Sequence, residues 1–179
     1  MKEENDVIEN SITGEKIIFC KTSEETNGEY LTYEYYSKPN QPISPKHFHP
    51  EAKESFEVLR GIIRFNINDE IIDAKEGDYI VINPGVAHTG YNIGNEEAYL
   101  KARIEPALHY EQYYRTTFQL ASMGKVNKKG LPSILQLAVM GHDMKNEMFL
   151  PKAVFAQKMF FKVFGAFAKF LGYKSDLSK

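Results

Sequence analysis

From about residue 14 to residue 105 the chain is a succession of short alternating or β-branched runs, each stopped by turn-forming residues. Period-two alternation puts successive side chains on opposite faces, so such runs bury one face and wet the other, the signature of antiparallel β structure. The runs fall at 16–21, 30–37, 55–60, 62–67, 70–74, 79–83, 87–92 and 98–104. Asn27-Gly28, Asn68-Asp69, Glu76-Gly77, Pro84-Gly85 and Gly94-Asn95 supply the turns, through glycine's backbone freedom or the side-chain hydrogen bonds of Asn and Asp. Eight short strands favour a barrel or a two-sheet jelly roll over an open sheet, because closure removes exposed edges.

Past Pro106 the apolar spacing lengthens to about 3.6 residues, and helices are predicted at 107–121, 132–142 and 151–171. Pro132 suits a first helical position, where the missing N–H costs nothing, and the last helix is expected to stop near Gly172. A loop at 124–130 carries Lys125, Lys128 and Lys129. The chain thus reads as a β-barrel over 1–105 and a helical extension over 106–179, packed on the barrel or on a partner subunit.

At 179 residues, with 42% hydrophobic and 26% charged residues, the chain can bury one core but cannot hold two full α/β domains. Its net charge of −2 conceals an asymmetry: residues 1–105 hold 11 Lys and Arg against 20 Asp and Glu, or −9, and residues 106–179 hold 11 against 4, or +7. An acidic body with a basic appendage fits internal packing, or a basic segment aimed at phosphates or an anionic membrane. Nucleic acid is not an expected partner, because the acidic half would have to carry the reading element and no zinc-finger, helix-turn-helix or aromatic RNA platform is evident. Cys20 alone can form neither an internal disulfide nor a cysteine-based zinc site, which suggests a reducing compartment. Residues 1–6 lack the apolar run of a signal peptide, so a cytoplasmic location is expected.

The chemistry concentrates at His47-Phe48-His49. In an extended segment, residues two apart share a face, so the two imidazoles can converge inside a barrel. A turn at 50–53 can return Glu54 to the same point, and His88 can supply a fourth donor. Three imidazoles and a carboxylate suit a divalent Fe, Mn, Ni, Cu or Zn ion without choosing among them. The competing reading leaves these histidines in solvated loops. Glu57 has the wrong strand parity to join the set, and Glu51 is expected to be solvated. His109 and His142 fall in helical segments, where surface or capping roles are commoner. Tyr79, Tyr91, Arg64 and Arg103 lie on predicted strands and either line a cavity or serve ordinary packing and outer-face charge. Cys20 is expected as a small core or edge residue.

These residues resemble the two signature motifs of the cupin superfamily. His47, His49, Glu54 and Gly61 match the first, and Gly77, Gly85, His88 and Asn92 the second. Gln41 replaces the usual Gly before the histidine pair, and Asn83 the usual Pro, with Pro84 beside it; both changes concern loop shape more than ligand chemistry. The resemblance implies a cupin-type jelly-roll β-barrel and a metal site of His47, His49, Glu54 and His88. It also implies a small-molecule substrate or ligand, a homodimer, and a range of activities that includes dioxygenases, isomerases, decarboxylases and non-enzymatic binders. A metal-dependent, oxygenase-like reaction at open metal positions is the first expectation. A metal-containing sensor or carrier, whose helical tail serves assembly or peripheral membrane contact, is the second.

Six of the 12 phenylalanines fall between 154 and 172. At 100° per residue, Lys158, Lys162 and Lys169 form one stripe, and Phe160, Val163, Phe164, Phe167, Phe170 and Leu171 a broad opposite face. Three lysines at mid-membrane cost about 7 to 10 kcal/mol, against about 3 to 6 kcal/mol gained from the apolar residues, so spanning a bilayer is disfavoured. Packing of this face on the barrel or a partner is the first expectation, and lying in an anionic membrane surface the second.

Overall fold

The structure, a computed structural model, describes residues 6–177; residues 1–5, on which the signal-peptide expectation mostly rests, and the outer bounds of both segments lie outside the described residues. Nine strands precede three helices: β1 (Asp6–Glu9), β2 (Lys16–Lys21), β3 (Leu31–Ser37), β4 (Lys53–Arg60), β5 (Ile62–Ile67), β6 (Glu70–Lys75), β7 (Tyr79–Ile82), β8 (His88–Asn92), β9 (Ala98–Glu105), α1 (Tyr110–Ser122), α2 (Ile134–Asp143) and α3 (Val154–Phe170). They form a six-stranded antiparallel sheet ordered β1-β2-β3-β9-β4-β7 and a three-stranded one ordered β6-β5-β8.

Alternation in the sequence becomes burial in the sheet. Along β3, Leu31, Tyr33, Tyr35 and Ser37 are buried, and along β9, Ala98, Leu100, Ala102 and Ile104. Register then sorts sizes: Ala102 lies between Tyr33 and Phe56, so a small residue leaves room for a ring on either side. One row further, Ile104 lies between Leu31 and Glu54, which sets a carboxylate against the apolar interior. Chain passage from the large sheet to the small one occurs at Gly61, where φ is +87° and an added Cβ would stand 3.0 Å from the Ala98 backbone. A side chain there meets both a strained backbone and a clash, which accounts physically for the glycine of the first motif.

The helices start two to three residues later than predicted. Leu108 and Ala153 adopt positive φ, which no right-handed helix can include, and Ser133 rather than Pro132 sets the α2 boundary, its hydroxyl accepting the Gln136 N–H. Tyr110 and Phe118 of α1 are buried with the barrel core. Helix α3 rests on α2 by its smallest residues: Gly165 approaches His142 and Ala138, Ala168 is fully buried, and Gly141 of α2 admits the Phe161 ring. The barrel does not cover the phenylalanine stripe, because glycine and alanine give α3 its closest-packing surface and turn the large rings outward. No helix among the described residues is long and apolar enough to cross a membrane.

Candidate metal centre

Two backbone ladders hold the His47-Phe48-His49 segment extended. His47 exchanges both backbone hydrogen bonds with His88 at 2.9 and 2.8 Å, and Phe48 exchanges both with Phe149, which follows α2, at 2.9 and 3.1 Å. Extended parity therefore directs His47 and His49 inward and Phe48 outward onto the Phe149 ring. Glu54 enters from β4 and His88 from β8, so the two sheets meet at these side chains. All four are buried, at 2–7% exposure, and one donor atom from each lies within 4.8 Å of the other three.

Hydrogen bonds at the far side of each ring fix what faces the centre. His47 Nδ1 lies 2.8 Å from the Pro45 carbonyl and His88 Nδ1 3.0 Å from that of Val86, and a carbonyl can only accept. Tyr110 donates its single hydroxyl proton to the Glu147 carbonyl at 2.7 Å, so His49 Nδ1, 2.7 Å from the same hydroxyl, must be the donor. Each neutral imidazole thus carries its proton on Nδ1 and turns an Nε2 lone pair inward. The result is a cluster of acceptors: His47 and His49 Nε2 stand 3.1 Å apart, and Glu54 Oε2 lies 3.1 Å from His88 Nε2 and 3.4 Å from His49 Nε2. Facing lone pairs repel unless a cation sits among them.

The electrostatics carry the same signature. Burial, reinforced by the proximity of His49 and His88, pushes the His47 imidazolium down to about pKa 3. Burial also opposes charge on Glu54 and His88, yet hydrogen bonds and attraction from His49 and His88 hold the Glu54 carboxyl well below the usual range, and Glu54 in turn holds the His88 imidazole above its own. The cluster favours one positive charge at its centre and rejects several. A donor set of three imidazole nitrogens and one carboxylate, on the scale of two metal–ligand bonds of roughly 2.0–2.3 Å, fits a divalent transition ion.

Around this centre stand residues that spacing did not reveal. Tyr33 donates to Glu54 Oε1 at 3.5 Å and meets the Tyr114 hydroxyl at 2.9 Å. Buried Glu147 accepts the His109 backbone N–H at 2.9 Å and pairs with its Nδ1, which anchors the carbonyl that receives Tyr110. His109 therefore acts at a helix start, one step behind the centre. His142 lies under Gly165 in the α2–α3 contact. Inward parity of Tyr33 on β3 was a signal that could have flagged it; Tyr110 and Glu147 carried none.

Other candidates lie elsewhere. Glu51 is exposed, and Glu57 points to the sheet face opposite Glu54. Tyr79 and Tyr91 are exposed, Arg64 forms a two-bond pair with Asp73, and Arg103 lies over the Tyr30 ring, so all four are outer-face residues. Cys20 is exposed on β2, where pairing with β3 is interrupted between Phe19 and Lys21, and is not a core residue. Asn92 is fully buried but is no ligand: its amide donates to the carbonyls of Ser37, Lys38 and Glu96 and accepts from Gly94 N–H.

Residues 34–102, a stretch containing all four candidate ligands, match the cupin domain family. Solved structures of similar fold include an RmlC-like cupin from Shewanella frigidimarina, 20% identical with a TM-score of 0.50, covering 60% of this chain and 88% of that one. A sugar phosphate isomerase of the cupin superfamily from Silicibacter pomeroyi is 14% identical with a TM-score of 0.51, covering 59% and 73%. KdgF from Halomonas sp. is 12% identical with a TM-score of 0.51, covering 59% and 90%. No curated protein matches the chain in sequence. At such identities the structural likeness is one of fold, and the helices follow the matched stretch. The matched residues fall within the two-sheet barrel, so the likeness to a cupin domain is one of residues 34–102, about two fifths of the chain.

Proposed function

We propose that His47, His49, Glu54 and His88 hold one divalent transition metal ion and that the protein acts on a small organic molecule there, with an oxygenase-like reaction the first to test. The observation that carries this reading is the convergence of three Nε2 lone pairs and one carboxylate, with every Nδ1 proton engaged outside the cluster. Bound there, such an ion would supply Lewis acidity or redox capacity. The chain's own residues orient the imidazoles through the Pro45 and Val86 carbonyls and the Tyr110 hydroxyl.

Elemental analysis of protein purified without chelators is expected to give about one transition ion per chain, and far less for His49→Ala and Glu54→Ala. Metal-free protein binding no Fe, Mn, Ni, Cu or Zn ion in titration would sink the proposal. Oxygen uptake and product formation with Fe(II)- and Mn(II)-loaded protein over hydroxy acids, diketones and sugar phosphates then test the reaction. The near-complete burial of the four side chains favours a second reading, a metal-containing binder or sensor, and inactivity under every metal would select it.

A further inference from the structure

We infer that the outward face of α3 is a docking surface for an anionic lipid bilayer, with the helix lying flat in the headgroup boundary. Because α3 meets α2 through Gly165 and Ala168, the arc turned away from α2 is wholly apolar: Phe155 is 79% exposed, Phe170 86%, Val163 54%, Phe167 50% and Phe164 46%. At about 200 Å² per ring, the four phenylalanines alone leave roughly 500 Å² in water, near the upper end for the largest patch of an ordinary monomer. The charge pattern identifies the occupant. Between Val154 and Phe170 the charged residues are Lys158, Lys162 and Lys169, with no acidic residue, and exposed Lys152 and Lys174 flank the two ends. Lys158 and Lys162 follow one border of the apolar arc, where their stems can lie along it while the ammonium groups reach phosphate, and Lys169 beside them is paired with Asp143 of α2.

A second copy of the chain is a worse match for this face. In an antiparallel α3 pair about a two-fold axis, both lysine stripes fall on the same side, and neither helix offers an acidic residue between them. The +7 balance of residues 106–179 against −9 of residues 1–105 also draws the helical side, rather than the barrel, toward an anionic surface.

The test is sedimentation of the full-length protein with vesicles of phosphatidylcholine alone and of phosphatidylcholine with 30% phosphatidylglycerol. Binding is expected to the mixed vesicles, at least tenfold weaker to the neutral ones, and weakened by 0.5 M salt. The double variant Phe155→Ser/Phe170→Ser is expected to bind at least tenfold more weakly, with melting temperature and metal content unchanged; Lys162→Gln is expected to bind about fivefold more weakly. Equal sedimentation with and without vesicles overturns the inference, as does undiminished binding by the double variant. It is equally overturned if light scattering shows a dimer that the double variant converts to monomer while neither form binds vesicles, because a second copy then covers the face.

Discussion

The barrel interior and the last helix depart from the hydrophobic ordering in opposite directions. Inside the barrel, four ionisable side chains are kept from water; on α3, four phenylalanines are kept in it. Neither arrangement is stable on its own terms, since unpaired buried polar groups and exposed contiguous apolar area both cost free energy. The two regions differ in how firmly they are held. The imidazoles are locked by hydrogen bonds to two loop carbonyls and a helix hydroxyl, whereas the α3 face contributes little to the packing of this chain. Perturbing the first should therefore cost folding free energy, and perturbing the second should cost association alone.

Acid attacks the comparison most strongly. His47 is held neutral by burial, so its folded-state pKa of about 3 lies below the unfolded value of 6.5. Its neutral form favours folding fully above pH 6.5, and that advantage is lost as pH falls toward 3. Glu54, also depressed, adds a loss of the same sign below about 4.5, while the raised His88 gives an opposing contribution already complete below 6.5. Metal-free protein should lose on the order of 3 kcal/mol between pH 7 and pH 4, as measured by urea unfolding. A flat profile would mean that His47 is solvated in the metal-free state and that the interior is not the strained region.

Gly165→Ala tests the seat of α3. The new methyl would stand 2.4 Å from His142 Cβ and 2.8 Å from the Ala138 carbonyl, so the helices must separate. Overpacking of this kind costs about 1–3 kcal/mol, less up to about 1 kcal/mol regained from alanine's helix propensity. Thermal unfolding that showed net stabilisation would mean that α3 has slack against α2 and that its outward face is not fixed.

Tyr110→Phe asks how far the extension supports the barrel. It removes the acceptor of His49 Nδ1–H and the donor to the Glu147 carbonyl while keeping the ring. Expected are a loss of about 1–2 kcal/mol in stability and tenfold or greater weakening of metal affinity, measured by competition with a chromogenic chelator. Unchanged affinity would free the centre from dependence on α1.

Which of these features the sequence could disclose follows from the range of the interactions involved. His47, His49 and Glu54 lie within eight residues, and His88 sits in a turn-bounded strand, so parity and spacing were enough to bring them together. Tyr110 reaches His49 across 61 positions, and only the docking of α1 decides that contact. Strand β1 went unrecognised because Asp6–Glu9 is four mostly exposed residues whose extended state comes from pairing with β2. On α3 the periodicity was visible but ambiguous: apart from the lysine stripe the helix is apolar nearly all round. The buried side was then selected by Gly165 and Ala168, whose small size no hydrophobic pattern ranks above phenylalanine.

The smallest effect is the most discriminating. Phe170→Ser removes a ring that is 86% exposed, so little transfer free energy and no cavity are involved, and the stability change should stay within about 0.5 kcal/mol. The same kind of truncation at fully buried Phe65, Phe65→Ala, should cost about 3–5 kcal/mol. Measuring both by urea unfolding turns the contrast into a ratio. If Phe170→Ser costs more than about 1.5 kcal/mol in dilute monomer, the ring is buried in solution by this same chain, α3 lies differently from the structure, and its outward face is not available to any partner.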